Sequence, residues 1–166
     1  MTTTQQTFKV GDWLTGRLPA DWFTDVDIVI DREEITILGT IPVPDDARGS
    51  DAESGRITRF REDTRPARIE IARELEGRTG RKVAWGVRCG DTEQMFARIS
   101  VPVMTRLQQP QRQVLDTLVE AGVARSRSDA LAWCVRLVAQ HEADWLTELD
   151  DAMGALREAR AKGPSA

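Results

Sequence analysis

Histidine is nearly absent from this chain: His141 stands alone among 166 residues, and Cys89 and Cys134 are the only cysteines. That scarcity removes most nucleophile and metal chemistry. His141 has no Ser or Cys nucleophile and no second ligand at a recognisable spacing, so a partly buried or interfacial histidine is expected and no catalytic or metal-binding residue is assigned. The cysteines lie far apart and lack a C-x-x-C partner, which argues against a disulfide framework and against zinc; two buried free thiols are expected. No G-x-G-x-x-G and no G-K-[ST] occurs, so a glycine-rich phosphate loop is excluded and no cofactor is expected. Long apolar runs are missing too. None approaches the roughly 18 residues of a spanning helix, and MTTTQQTFKVGDW lacks the basic and then apolar regions of a secretory signal, so the reading is a cytoplasmic, non-enzymatic protein with no membrane partner. No period of about 20–50 residues repeats, which sets solenoids and propellers aside.

Lysine is scarce as well, 3 residues against 20 arginines, and arginine offers planar, bidentate recognition of phosphate or guanine. The charge is unevenly spread. Residues 1–55 carry 4 basic and 11 acidic groups, residues 56–138 carry 16 and 10, and residues 139–166 carry 3 and 6, so positive charge gathers in the middle of a chain whose net charge is −4. An Arg-for-Lys bias also follows from a GC-rich genome.

About 40% apolar content over this length allows one core or two small ones. The first dozen residues are polar and read as frayed. Trp13, Leu14, Leu18, Trp22 and Phe23 form an apolar cluster, broken by Pro19, that reads as a cap. Val26 to Ile30 and Ile35 to Ile41 alternate apolar and polar residues about Asp31-Arg-Glu-Glu34, the pattern of a β-hairpin. Asp25, Asp27, Asp31 and Glu33 then face outward as a solvated acidic strand. Residues 42–55, rich in Pro, Gly, Ser and Asp, read as a flexible loop outside any core. A helix is expected from about Thr64 to Glu76, with Pro66 in its first turn and Gly77 and Gly80 as stop signals. Arg81 to Arg88 and Met95 to Val103 read as a second hairpin joined at Cys89 to Glu93. Residues 1–94 are therefore expected to be an α+β sensor or interaction unit, a small antiparallel sheet with one helix.

Beyond Pro110 the pattern becomes helical: Val114, Leu115, Leu118 and Val119 mark about three turns before a stop at Gly122. Ser126-Arg-Ser-Asp129 has the spacing of a capping box opening a second helix. Leu131, Val135, Val138, Trp145, Leu149, Met153 and Leu156 carry its apolar face on to about Arg160, roughly 50 Å at 1.5 Å per residue. That exceeds the need of one small core, so an intermolecular coil or a break near His141 is expected.

The order strand, helix, turn, SRS-capped helix resembles the ribbon-helix-helix family of the Arc, MetJ and CopG repressors. The resemblance rests on Arg98-Ile-Ser-Val-Pro-Val103, on Val114 to Val119 ending at Gly122, and on Ser126 to Leu131, and it covers about 40 residues. It implies that residues 95–166 form a dimerisation and DNA-binding unit whose strand pairs with its copy and enters the major groove of duplex DNA. Arg98, Ser100 and Pro102 would face the bases, and Ile99, Val101 and Val103 would turn inward. Ser126 and Ser128, helped by Arg125 and Arg127, would anchor a phosphate at the second helix's N-terminus. Alternatively residues 95–103 close the sheet upstream, beside Val83 to Val87.

Arg59, Arg65 and Arg68 belong to a second basic stretch that could clamp phosphates, interleaved with Glu62, Asp63, Glu70 and Glu74 as a salt-bridged helix surface would be. Trp13, Trp22, Trp85, Trp133 and Trp145 fall on different elements, so packing is expected of them rather than base stacking. The resulting expectation is a homodimeric DNA-binding regulator or architectural factor with an undefined effector. The alternative is a homo-oligomeric scaffold or adaptor assembled through the last helix.

Overall fold

The computed structural model describes residues 8–43 and 49–163, with the side chain of Ser50 left aside. The chain divides into two compact units, Met1–Pro102 and Val103–Ala166. The α+β class expected from the sequence is what the chain shows, a small sheet with helices and a long last helix. In order the first unit contains α1 (Val10–Arg17), β1 (Asp25–Ile30), β2 (Glu34–Thr40), α2 (Ser50–Asp63), α3 (Arg65–Thr79), β3 (Lys82–Cys89) and β4 (Thr92–Met95). The second contains α4 (Gln109–Glu120), α5 (Arg127–His141) and α6 (Ala143–Lys162).

The hairpin expected at the start is present, β1 pairing antiparallel with β2 from Asp25 opposite Thr40 to Ile30 opposite Ile35. Asp31 shapes its turn. One carboxylate oxygen accepts the N–H groups of Glu33 and Glu34 at 2.9 and 2.7 Å, and these two donors hold the carboxyl below its ordinary range. Asp27 is not merely solvated, because Arg88 reaches it at 3.3 Å and Glu93 at 3.1 Å.

The central pairing corrects the expectation of an antiparallel sheet: β2 and β3 run parallel, from Glu34 beside Lys82 to Thr40 beside Arg88. A parallel neighbour requires a crossover, and α2 and α3 supply it. Residues 50–55, expected to be loop, are the first turns of α2; residues 44–48 of that expected loop lie outside the described residues, as do residues 1–7 of the expected frayed start. From Val10 onward that start is helical, and Val10 and Leu14 are buried. The expected helix over 64–76 runs instead from Arg65 to Thr79, with Pro66 in its first turn and Gly80 in the left-handed region at φ 70°.

One sheet face carries the core. Ile35, Ile37 and Trp85 pack with Val10 and Leu14 of α1 and with Ile71 and Leu75 of α3, while Val87 and Cys89 pack with Ile57 and Phe60 of α2. Trp22 and Phe23 lie against both groups, the capping role their clustering suggested. Cys89 is fully buried and Cys134 half-buried, both as free thiols, and burial pushes the Cys89 thiol up.

The second hairpin is shorter than expected. β4 is Thr92–Met95, turned from β3 through Gly90 at φ 58°, and pairs from Gly86 opposite Met95 to Cys89 opposite Thr92. Residues 96–108 are in neither helix nor strand, so the strand expected over 95–103 is not formed within the chain, and β3 has no partner there beyond Phe96, whose N–H donates to the Trp85 carbonyl at 2.8 Å.

A Cβ at Gly39 would run into the ring of Phe23, whereas a Cβ at Gly77, inside α3, meets nothing within 4 Å. Gly39→Val is expected to lower unfolding stability by about 1–3 kcal/mol through overpacking. Gly77→Ala is expected to raise it by about 0.5–1 kcal/mol through helix propensity. Urea denaturation of the two variants checks both signs.

Candidate nucleic-acid interface

Residues 96–107 form a tether that ends the first unit and opens the second, where α4 and α5 follow as capped helices. None of the backbone groups of residues 97–107 takes part in a backbone–backbone hydrogen bond among the described residues. Gln108 opens α4, its N–H donating to the side-chain oxygen of Gln111 at 2.9 Å, and Arg112 ties back to the Leu107 carbonyl at 2.6 Å. The helix stops at Gly122, left-handed at φ 75°, as the sequence suggested. Ser126 then caps α5 by accepting the Asp129 N–H at 3.2 Å. Asp129 reaches one residue further back than a capping box requires, accepting the Arg125 N–H at 3.0 Å. Of the two outcomes expected for the long apolar pattern, the break near His141 is the one formed: α5 and α6 part at Glu142, where φ −117° and ψ 28° depart from helical geometry.

Among the described residues of this unit only Leu115, Ala124 and Ala130 are buried. Twelve large apolar residues from Val103 onward remain exposed, among them Val103 at 87%, Met104 at 97%, Val135 at 64% and Trp145 at 54%. A groove of about 310 Å³ lies between the tether and the two helices, floored by Leu107, Leu115 and Leu131. Val103 and Met104 stand at its rim with little to cover them.

Arg98, Ser100 and Pro102 are exposed on the tether, and Ile99 is half-buried. Their expected alternation on a strand requires a pairing that the single chain does not make. At the start of α5 the four expected residues are together and exposed, but their roles differ. The Ser126 hydroxyl already holds the Asp129 N–H, whereas the N–H groups of Arg127 and Ser128 have no acceptor among the described residues. Arg127 forks onto Asp116 of α4 at 2.6 and 2.8 Å. This corrects its reading as a free phosphate ligand: it is a strut between helices, and Arg125 is the neighbouring cation that enters no ion pair among the described residues. The Arg127 hydrogen bond holds the Asp116 carboxyl below its ordinary range. His141 is exposed at the last turn of α5 rather than partly buried in the chain.

The second basic stretch is split by its own fold. Arg59 pairs with Asp63 at 3.6 Å on the outer face of α2, and Arg65 is exposed at the start of α3. Arg68 is buried and points inward, so an external clamp does not include it. Asp116, the partner of Arg127, was not singled out in the sequence. Their separation of eleven positions exceeds any local helix spacing, so only the α4–α5 packing brings the pair together.

Residues 8–95 match the family model described as Rv1265-like protein, N-terminal domain, and residues 108–160 match the Mb1296 C-terminal domain. The chain belongs to the Rv1265-like family. It is 55% identical over 157 residues to uncharacterized protein Mb1296 of Mycobacterium bovis and, to the same extent, to uncharacterized protein Rv1265 of Mycobacterium tuberculosis, covering 92% of this chain and 69% of each relative. No solved structure matches it. In this Rv1265-like chain the tether, residues 96–107, falls between the two matched segments. No helix among the described residues is long and apolar enough to cross a membrane.

Ser126→Ala removes an acceptor from the first turn of α5 and is expected to cost about 1 kcal/mol of stability. Because Asp116 titrates below its unfolded value, its contribution is present above the ordinary carboxylate range near pH 4 and fades as pH falls through the folded pKa. Asp116→Asn should flatten that acid limb in urea titrations followed by helical circular dichroism. An unchanged limb would show that the Arg127 fork carries no net stability.

Proposed function

We propose that this Rv1265-like chain is a homodimeric duplex-DNA-binding protein, a transcriptional regulator or architectural factor of the cytoplasm with no catalytic role. The observation that carries this reading is the tether. Its backbone is unpaired, it bears Arg98, and it is followed by two short capped helices with an uncovered apolar surface. Two copies of residues 98–103 pairing antiparallel would satisfy the free backbone groups and bury Val101 and Val103 over the four helices. Arg98 and Ser100 would then stand on the outer face of a two-stranded ribbon, which the major groove admits. Pro102 donates no ladder hydrogen bond, so its place at the end of that ribbon is the one that tolerates it. The two free N–H groups at the start of α5, with Arg125 beside them, offer a sequence-independent contact to a backbone phosphate.

A second reading has its own support. Trp145, Leu149, Met153 and Leu156 form an exposed apolar stripe along α6, suited to a scaffold or adaptor that assembles through this helix.

Fluorescence anisotropy with a pool of short duplexes separates the two. Affinity that falls steeply with salt is expected, with Arg98→Ala relaxing sequence preference by about 1–3 kcal/mol at the affected base pair while Arg65→Ala does not. Val103→Asp should shift the chain to monomer in sedimentation velocity and abolish binding together with the dimer. Unchanged duplex binding in Arg98→Ala would remove the tether from the reading face. Loss of assembly on truncation after Val138, with no duplex bound by the intact protein, would instead favour the scaffold.

A further inference from the structure

We propose that the open pocket lined by α2, α3, β3 and Phe96 is a binding site for a small organic phosphate, a phosphate monoester carried on a planar ring. The cavity has a volume of about 520 Å³. Arg61, Arg65 and Arg68 line it, with Glu62 as the single carboxylate, so three guanidinium groups against one acid leave two positive charges facing the space. None of the three arginines enters an ion pair among the described residues.

Arg68 is the decisive group. It is only 7% exposed, yet its hydrogen-bond partners are neutral: its Nε donates to the Thr64 hydroxyl at 2.9 Å and its Nη2 to the Arg61 carbonyl at 2.7 Å. Its Nη1 has no acceptor among the described residues. Thr64 is itself committed, donating to the Phe60 carbonyl at 2.6 Å, so the junction of α2 and α3 fixes where the guanidinium sits. The group lies 4.6 Å from the centroid of the Phe96 ring, and Arg61 lies 5.5 Å from the same centroid. Burial, then repulsion from Arg61 and Arg65, brings its pKa down to about 10, so at neutral pH it is a charged group held without a counter-ion. Buried cations are ordinarily paired. An anion in the cavity would complete this one.

The chemistry of the lining narrows the anion. Two excess positive charges suit a phosphate monoester, which carries about −1.5 to −2 at neutral pH, better than a carboxylate. Arginine forks match its oxygens in bidentate fashion. Ile69, Val83 and Trp85 supply an apolar wall, the surface that a planar ring covers and that bare phosphate does not. A rigid duplex backbone cannot present a phosphate to a guanidinium that is 7% exposed, so a small ligand is favoured over DNA here. The proposal stands independently of the ribbon and its reading of bases.

Isothermal titration of the full chain with phenyl phosphate at neutral pH and low salt tests it, alongside inorganic phosphate, phenol and a short duplex. Phenyl phosphate is expected to bind about tenfold or more tightly than inorganic phosphate, with phenol silent. The exposed-arginine variants Arg61→Ala and Arg65→Ala should each weaken it by about tenfold or more with melting temperature unchanged. Arg68→Lys should weaken it further, and if that variant fails to fold the other two carry the test. No heat at millimolar phenyl phosphate with folded protein, or undiminished binding in both alanine variants, overturns the site. Equal affinity for inorganic phosphate overturns the organic ligand. Duplex binding that falls in Arg61→Ala and Arg65→Ala as far as phenyl phosphate binding does would make the cavity a nucleic-acid contact instead.

Discussion

The C-terminal unit is short of interior. Among the described residues three buried ones, two of them alanines, hold α4 against α5, while Val103, Met104 and Trp145 stand more than half in water and the leucines of α6 are exposed beside them. Fully burying a Val or Leu side chain contributes about 1.5–3 kcal/mol, and below roughly 70–80 residues a single core seldom suffices even when it is well filled. An apolar surface of this extent on so small a body is a mark of a face that meets another surface. The backbone of residues 97–106, without hydrogen-bond partners among the described residues, has the same character, since such carbonyl and amide groups are left to water or to a second strand. The proposed ribbon shared between copies would meet both deficits at once.

The N-terminal unit solves its own burial problem and creates an electrostatic one. Its sheet is covered on one face by helices, and the parallel step from β2 to β3 makes α2 and α3 run consecutively across that face, with Thr64 between them. The consequence is that arginines from both helices converge beside Phe96 instead of spreading along one outer surface. Of Arg61, Arg65 and Arg68, only Arg65 has an acid, Glu62, one helical turn away, whereas Arg59 on the outer face of α2 pairs with Asp63. The crossover thus gathers arginines with few acidic neighbours into one pocket.

Local signals were legible where a single residue type does a single job. Asp31 in its turn, Gly80 and Gly122 as left-handed stops, and Ser126 as a cap all act through contacts within four residues, so spacing alone exposes them. The first turns of α2 were hidden, because Ser50 to Gly55 has no large apolar side chain and the helix shows its stripe only later, at Ile57 and Phe60. Ile99-Ser-Val-Pro-Val103 carries a strand's composition but forms no strand within its own chain, so of the two pairings the sequence left open the one beside Val83 to Val87 is not made. The parallel crossover, the Asp116–Arg127 fork and the pocket around Arg68 depend on which elements meet, and no window of sequence contains that information. The break at Glu142 was foreseen only as a consequence of excess length, since the apolar spacing runs through it without interruption.

The arginine bias has a structural consequence whatever produced it. A lysine placed at position 68 would sit among the same neutral acceptors and near the same two cations, and the ammonium, being more strongly hydrated and more easily deprotonated, would lose its charge more readily on burial. A guanidinium brought down to about 10 remains charged at neutral pH, so a largely buried cation persists there with its central carbon over the Phe96 ring. Arg127 uses the same fork differently, meeting both oxygens of one carboxylate and so fixing the angle at which α4 and α5 cross. A lysine there would keep the charge but not the orientation. Thus the two units use one residue type for two ends, a charge held out of water in the first and a rigid brace in the second, and the brace keeps the start of α5 in place beside the tether's C-terminal end while leaving Arg125 without an ion-pair partner among the described residues.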